Sequence, residues 1–192
     1  MDTRKKLLDS TIQVVAAEGL ENTTTKRIAS YAAINEVTLF RVYKGKDNLL
    51  RKAFQYAQEQ ICTAVLQNLP ILQSSSLSME KRHHRLFILC WEWLLAHPDI
   101  CRFYLRFYHS SYYTADMEIL NSRELGIISR QLHDSLGGVS DIETKQFLLP
   151  HVLEIMLTFV VRIVNQQLHN TEQMSAYVFH LVHSTLTQAV LY

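Results

Sequence analysis

The chain has 192 residues, of which 48% are hydrophobic and 19% charged, with only 5 Gly and 3 Pro. This composition excludes collagen-like, low-complexity and largely disordered chains, and the scarcity of Gly and Pro favours long helices over the many turns of an all-β fold. The net charge of +1 is unevenly distributed, because residues 1–60 carry a balance of +3 and residues 61–192 a balance of −2. A mildly basic N-terminal part is a weak indication of an anionic partner.

Three features of the sequence bear on where the protein works. The three cysteines are an odd number and form no C-x-x-C pair, which predicts neither a disulfide framework nor a zinc site. The N-terminus has no signal-peptide pattern. The most apolar run, residues 147–164, is interrupted by proline and charged residues, which disfavours a membrane span. We therefore expect a cytoplasmic protein without a membrane partner.

The sequence pattern of the N-terminal part predicts three helices separated by short connections. Apolar residues recur with the spacing of an amphipathic helix over residues 3–18, and Gly19 is typical of a helix stop in the left-handed conformation. Two shorter helices are predicted over residues 25–32 and 36–43. Asn35 precedes the third helix and is among the best N-cap residues, because its side chain can accept from the backbone N–H groups that follow.

The remainder of the chain is also helical by its pattern, without a convincing strand. A long helix is predicted over residues 47–69. The further predicted helices cover residues 79–96, 98–110, 115–136, 141–168 and 171–191. Gly137 and Gly138 separate two of these helices, and Pro150 is expected to kink the helix that contains it. The predicted fold class is all-α.

Residues 25–46 carry the most informative chemistry. Two short helices joined by a tight turn, after a longer amphipathic helix, have the layout of a helix-turn-helix DNA reader. Val37, Thr38 and Arg41 share one face of the second short helix. Arg41 can form two hydrogen bonds with guanine, Thr38 can bond a base edge or a phosphate, and Val37 can touch a thymine methyl group. On spacing alone, a helical hairpin with an ordinary solvated face is an equal alternative.

A family resemblance strengthens the DNA-binding interpretation. Residues 24–50 read TTKRIASYAAINEVTLFRVYKGKDNLL. They resemble the DNA-binding motif of TetR-type transcriptional regulators, in which Thr, Ile-Ala, Ala-Gly-Val-Ser, Thr-Leu-Tyr, His-Phe, Lys and Leu-Leu follow in order. Ala33 stands where the family usually has glycine, so we expect a backbone there that is either not left-handed or slightly strained. Val42 replaces a common histidine and Phe40 a common tyrosine, which puts two phosphate-backbone contacts of the family in doubt.

The resemblance implies two domains with different functions. Residues 1–46 would form the DNA-binding domain, and residues 47–192, beginning with the connecting helix at 47–69, the effector-binding and dimerisation domain. The residues that would contact phosphates are Thr25, Lys26, Tyr43 and Lys46. Those that would face the major groove are Glu36, Val37, Thr38, Phe40 and Arg41.

The resemblance also implies a homodimer, because in TetR-type regulators the last two helices form a four-helix interface with their copies. An intramolecular core accounts for part of the apolar stripe on the last predicted helix. A two-fold dimer would fit a palindromic operator in double-stranded DNA. The interface residues that we expect are Val160, Val164, Tyr177, Val178, Leu181 and Thr185.

The middle of the chain is rich in aromatic residues. Such a stripe at helical spacing is more often plain core than a ligand site, but the resemblance favours a cavity among the middle helices, where a small-molecule effector would bind. Arg102 or Arg106 would serve an anionic ligand. The residues predicted to contact the effector are Trp91, Arg102, Phe103, Phe107, Tyr113 and Met117.

Catalysis and metal binding find little support in the sequence. It contains no nucleophile motif, phosphate-binding glycine loop or dinucleotide fingerprint, so no catalytic residue and no cofactor are predicted. His180 and His183 are spaced three apart, but no carboxylate or cysteine at ligand spacing accompanies them, so no metal site is predicted. The expected function is a DNA-binding repressor that a small molecule releases. Two alternatives are an all-helical ligand-binding module that has lost DNA binding and an all-helical enzyme.

Overall fold

The computed structural model describes residues 2–135 and 142–188, and within them the chain forms nine α-helices and no strand. The predicted all-α fold is confirmed. A short 3₁₀ helix, Leu69–Gln73, follows the fourth α-helix. The α-helices are α1 (Thr3–Glu18), α2 (Thr25–Tyr31), α3 (Glu36–Tyr43), α4 (Lys46–Asn68), α5 (Met79–Ala96), α6 (Pro98–Tyr108), α7 (Ala115–Ser135), α8 (Ile142–Val164) and α9 (Glu172–Gln188).

Capping side chains explain where the first helices begin. The side chain of Thr24 accepts from the N–H of Arg27 at 3.1 Å, and Asn35 Oδ1 accepts from the N–H of Val37 at 2.8 Å. These bonds satisfy backbone donors that have no partner inside the helix. The N-cap prediction for Asn35 is confirmed. Gly19 ends α1 with a φ of +87° and an extended ψ of 165°, a positive-φ stop that is not the left-handed helical conformation we expect from the sequence.

The observed helix ends depart from the predicted ones mainly on the C-terminal side. α6 ends at Tyr108, two residues early, and α8 ends at Val164 instead of residue 168. Pro150 lies inside α8. The predicted break at residues 137–138 and the end of the last predicted helix, residues 189–191, lie outside the described residues.

The chain divides into two compact units. The head unit consists of Met1–Gln60 and Asp99–Ala115, so it contains α1, α2, α3, most of α4 and nearly all of α6. The body unit consists of Ile61–Pro98 and Asp116–Tyr192. The head unit is therefore built from two segments that are far apart in sequence.

The core of the head unit combines an apolar cluster with a set of stacked rings. The buried cluster is Leu7, Val14, Ile28, Ala29, Ala32, Leu39, Tyr43 and Leu49. The ring of Phe54 lies 4.7 Å from that of Tyr104 and 4.8 Å from that of Phe107, measured between centroids. Arg106 donates a hydrogen bond to the carbonyl of Val15, which ties α6 to α1.

The core of the body unit is mainly aliphatic. One of its buried clusters contains Cys62, Leu69, Leu72, Leu86, Leu125 and Ile128. None of the described helices combines the length and the apolar character that crossing a membrane requires.

Candidate nucleic-acid interface and ligand cavity

Helix α3 has a packed face and an exposed face. Leu39 is fully buried and Tyr43 nearly so, and both belong to the core of the head unit. On the other side Val37 is 75% exposed, Phe40 is 46% exposed and Arg41 is also exposed. Burial of one face fixes the helix, and three side chains of different chemistry remain available to a partner.

The turn between α2 and α3 closes through a Schellman motif with an alanine in the glycine position. Ala33 has a φ of +49°, so the left-handed and slightly strained conformation is the one adopted. Its N–H donates to the carbonyl of Ser30 at 3.0 Å, and the N–H of Ile34 donates to the carbonyl of Ala29 at 2.9 Å. The departure from the family pattern at Ala33 thus leaves a complete set of capping hydrogen bonds.

The N-terminal ends of α2 and α3 are joined by a side-chain hydrogen bond. Thr25 Oγ1 donates to Glu36 Oε1 at 2.6 Å. Lys26 is exposed beside it, and Thr38 on α3 is half-buried. Thr25, Lys26 and Glu36, for which the family resemblance implies DNA contact, therefore lie in the same part of the head unit.

Tyr43 and Lys46 are engaged with the backbone of the head unit. The hydroxyl of Tyr43 donates to the carbonyl of Arg4 at 3.1 Å, and burial raises the pKa of this hydroxyl. Lys46 Nζ donates to the carbonyl of Leu20 at 2.9 Å and lies 6.0 Å from the centroid of the Tyr112 ring. Through these hydrogen bonds both side chains stabilise the fold of the head unit.

Five helices of the body unit surround a partly enclosed cavity of about 110 Å³. α4, α5, α7, α8 and α9 all contribute to its wall, which is mainly aliphatic. The rings of Phe87, Trp93 and Phe179 complete the apolar surface. A small apolar molecule would find a preformed site here.

Two histidines among the lining residues, His83 and His183, contact each other. His83 Nδ1 lies 3.3 Å from Nε2 of His183, and His83 Nε2 lies 3.1 Å from Oγ of Ser135. Burial lowers the pKa of His83, with further lowering by the nearby His183 and Arg82. The sequence does not predict this pair. The two residues are 100 positions apart, and spacing patterns relate only residues that are close in the chain.

None of the six residues predicted to contact an effector lies on the wall of this cavity. Phe103, Phe107 and Tyr113 belong to the head unit, where Phe107 and Tyr113 pack against Phe54 at centroid distances of 4.8 and 5.5 Å. Arg102 pairs with Asp99 at 3.5 Å in the same unit. The aromatic segment around α6 is thus core of the head unit in this structure.

The other two predicted effector residues are buried in the body unit. Trp91 stacks on Phe87 at 5.7 Å between ring centroids, and Phe87 lines the cavity, so Trp91 supports the wall from behind. Met117 on α7 is also buried. Whether any of the six residues contacts a ligand remains a prediction.

The residues predicted for the dimer interface differ in exposure. Val160 and Val178 are fully buried within the chain, and Val164 and Thr185 are half-buried. Tyr177 is 58% and Leu181 37% exposed on α9. These two side chains give α9 an apolar exposed surface.

A metal site is absent from the part of the chain that the structure describes, in the sense that no three His, Cys, Asp or Glu side chains gather there as ligands.

Comparison with known proteins agrees with this geometry. Residues 7–53 match the family "Bacterial regulatory proteins, tetR family". Over 48 residues the chain is 42% identical to an uncharacterized HTH-type transcriptional regulator, YvkB, of Bacillus subtilis (strain 168), and the match spans a quarter of each chain. The matched region contains the capped helices and the turn described above.

Solved structures extend the similarity to nearly the whole chain. A TetR family transcription regulator from Marinobacter aquaeolei VT8 superimposes with a TM-score of 0.77 at 20% identity, covering 95% of this chain and 94% of the other. A protein of Shewanella sp. PV-4 described as a tetR family transcription regulator gives 0.76 at 17% identity, covering 98% of both chains. Residues 7–53 therefore match the tetR family of bacterial regulatory proteins, and the chain has the fold of solved TetR family regulators.

Proposed function

We propose that the protein is a cytoplasmic homodimeric transcriptional repressor, which binds a palindromic operator through its head units and is released when a small molecule occupies the body unit. It acts by binding and carries out no catalysis. The observation that supports the proposal most directly is the exposed face of α3, with Val37, Phe40 and Arg41. Water gives no favourable contact to exposed valine and phenylalanine, whereas the major groove offers them thymine methyl groups.

The contacts that we propose with DNA fall into two classes. Arg41 binds a guanine edge and Val37 a thymine methyl group, with Glu36, Thr38 and Phe40 beside them in the groove. Thr25 and Lys26 contact phosphates and set the position of the head unit on the duplex.

Tyr43 and Lys46 differ as phosphate ligands. The ammonium of Lys46 has two hydrogens left after its bond to the Leu20 carbonyl, so it can also contact a phosphate. The single hydroxyl hydrogen of Tyr43 is already donated to Arg4, so a phosphate contact from Tyr43 would break that bond.

The dimer that we propose uses α8 and α9. The exposed Tyr177 and Leu181 are the support for it, because an apolar surface on a well-packed helix is stabilised when a second copy covers it. Val160 and Val178 would then support the interface from within the chain. Sedimentation at micromolar concentration is expected to show a dimer, and a monomer would contradict this part of the proposal.

The cavity of the body unit is the effector site that we propose. It is apolar, preformed and large enough for a small molecule. An effector changes operator affinity only if it binds the DNA-free and DNA-bound conformations with different affinity. Titration of the operator complex with a cavity ligand would measure that difference.

The sharpest test of DNA recognition compares two arginine variants on selected DNA. Sequences bound by the full chain are first selected from a random DNA library. Arg41→Ala is then expected to weaken binding to the selected sequence by about 1–3 kcal/mol, with a smaller loss on random DNA, because a base contact is lost. Arg85→Ala is the matched control, since Arg85 is exposed on α5 in the body unit. Equal losses on selected and random DNA for Arg41→Ala would rule out base reading by this residue.

A further inference from the structure

Glu36 is the first residue of α3, the helix whose exposed face we assign to the major groove. In helix-turn-helix proteins the N-terminal residues of the second helix contact base edges. Val37, the next residue, is 75% exposed, so this end of α3 is open to a partner. A carboxylate at this place brings a negative charge close to the phosphates of a bound duplex. The charge is costly there unless the carboxylate meets a hydrogen-bond donor on the DNA.

A hydrogen bond from Thr25 holds one oxygen of this carboxylate. Thr25 Oγ1 lies 2.6 Å from Glu36 Oε1, and an ionised carboxylate can only accept, so the threonine hydroxyl is the donor. The bond uses Oε1, and Oε2 can accept a further hydrogen bond. Because the donor is an uncharged hydroxyl, the bond does not neutralise the carboxylate.

The same bond restricts where the remaining acceptor can lie. A free glutamate side chain populates many rotamers and loses that freedom when it is fixed on a partner. Here the bond connects α3 to α2 across eleven residues of the chain, and the β-branched Thr25 has itself few rotamers. The carboxylate is therefore held in place in the free protein, which reduces the entropy that a base contact would cost.

The four bases differ in what they offer to an acceptor. In the major groove only cytosine and adenine present an amino group. Adenine places its acceptor N7 beside that group, and a carboxylate, which cannot donate, is repelled by N7. Cytosine presents the N4 amino group without a neighbouring acceptor of its own. A side chain that only accepts therefore favours cytosine over the other three bases.

We propose that Glu36 determines specificity by accepting a hydrogen bond from N4 of a cytosine, and that Thr25 is a positioning residue that orients the carboxylate. The inference rests on the proposed function in one respect, namely that α3 enters the major groove. The single hydroxyl hydrogen of Thr25 is donated to Glu36, so the phosphate contact that we propose for Thr25 comes from its backbone N–H, which has no partner within the helix.

Selection from a random DNA library, made with the full chain and its variants, tests the role of Glu36. The wild type is expected to select cytosine at one position of each half-site, and in Glu36→Ala this preference should fall by about 10- to 100-fold, because a hydrogen bond to a charged acceptor is lost. Glu36→Gln should favour adenine there, since an amide can accept from N6 and donate to N7. Glu21→Ala is the matched control, because Glu21 is an exposed acidic residue of the head unit outside α3 and its loss should leave the base preference unchanged.

Two threonine variants test the positioning role. Thr25→Val removes the hydroxyl and should lower the preference for cytosine at the same position about two- to tenfold, whereas Thr25→Ser keeps the hydroxyl and should retain the preference. In a chain that already carries Glu36→Ala, Thr25→Val should change the preference no further. A structural role alone would weaken binding to all sequences equally, so an unchanged preference in Thr25→Val would reject the positioning role.

A measurement with the unmodified protein covers the case in which a variant does not fold. Each cytosine of the selected half-site is replaced in turn by pyrimidin-2-one, which lacks the N4 amino group. Binding should weaken by about 10- to 100-fold at one of them, and Glu36 is the one carboxylate of α3 that can account for this loss. Replacing the paired guanine by inosine is the matched control, because it also removes one base-pairing hydrogen bond but leaves the major-groove edges unchanged. Equal effects of the two replacements at every cytosine would overturn the inference.

The outcomes of the selection separate this inference from the proposed function. A chain that binds all DNA equally rejects sequence reading altogether, and with it the function that we propose. A chain that selects a defined site, but in which Glu36→Ala leaves every base preference unchanged, rejects the role of Glu36 and leaves the DNA-binding function intact.

Discussion

The head and body units use their buried side chains in opposite ways. In the head unit Phe54 packs against Tyr104 and Phe107, all three almost completely buried, and aromatic rings fill the space between helices. In the body unit the buried side chains are mainly aliphatic and leave a cavity between five helices. Close packing gives one defined arrangement of neighbouring helices, whereas a cavity costs contacts that a ligand can restore. The head unit is therefore closely packed around aromatic rings, whereas the body unit contains a space that a ligand could fill.

Removing the central ring of the head unit should produce the largest effect. Phe54→Ala is expected to lower the free energy of unfolding by about 3–5 kcal/mol, because it deletes a fully buried aromatic side chain. Phe40→Ala, on the exposed face of α3, should change it by no more than about 0.5 kcal/mol. Chemical denaturation followed by circular dichroism measures both. A loss below about 1 kcal/mol for Phe54→Ala would mean that the head unit does not depend on these rings.

Replacing alanine by leucine at one of two positions on α4 compares how closely the two units are packed. Ala57, in the head unit, and Ala64, on the cavity wall, are both buried and lie seven residues apart on the helix. Ala57→Leu should cost about 1–3 kcal/mol of stability through overpacking. The leucine of Ala64→Leu can extend into the cavity, so the free energy of unfolding should stay within about 1 kcal/mol of the wild type. Similar costs at both positions would contradict the difference in packing.

The turn before α3 allows a smaller, stabilising change. Ala33→Gly should raise the free energy of unfolding by about 0.5–1 kcal/mol, because glycine adopts the φ of +49° without strain. Ala17→Gly, at an exposed position in the last turn of α1, should lower it by a similar amount. Thermal unfolding of the two variants should therefore shift in opposite directions, and a destabilised Ala33→Gly would show that the turn is not strained.

Acidification should lower the stability of the body unit through His83, and this effect should be the smallest of the four predicted here. The folded-state pKa of His83 lies below its ordinary value of 6.5, so the unfolded chain binds the proton more readily. The stability that this group contributes is present above pH 6.5 and is lost as the pH falls through the folded pKa. His183, Ser135 and Arg82 face or adjoin this ring. His83→Gln should make the melting temperature less sensitive to pH below pH 6.5. An unchanged sensitivity would show that His83 does not cause the loss of stability in acid.

Much of the head unit could be predicted from the sequence, because its signals are local. The residue type and position of Asn35 predict an N-cap, and the bounds of α3 are those that the apolar spacing predicts. At Ala33 the sequence leaves two conformations open, and the structure has the left-handed one, with a φ of +49°.

The organisation of the body unit could not be predicted in the same way. Periodicity shows which face of a helix is buried but does not show what covers it. The spacing of the rings around α6 favours plain core, and only the family resemblance predicts a ligand site there; in the structure Phe107 and Tyr113 pack on Phe54 in the head unit. The aliphatic residues that do line the cavity look like ordinary core in the sequence. His83 and His183 meet only because α5 and α9 come together, and no local pattern encodes that contact.

The return of α6 to the head unit has a consequence for protein engineering. A DNA-binding domain excised or transplanted at residue 46 or 60 would leave behind the segment Asp99–Ala115 that completes it. Phe54 would lose the rings of Tyr104 and Phe107, and the carbonyl of Val15 would lose Arg106. Chimeric regulators made by exchanging N-terminal fragments of this chain should therefore be compromised in folding unless α6 is exchanged together with them.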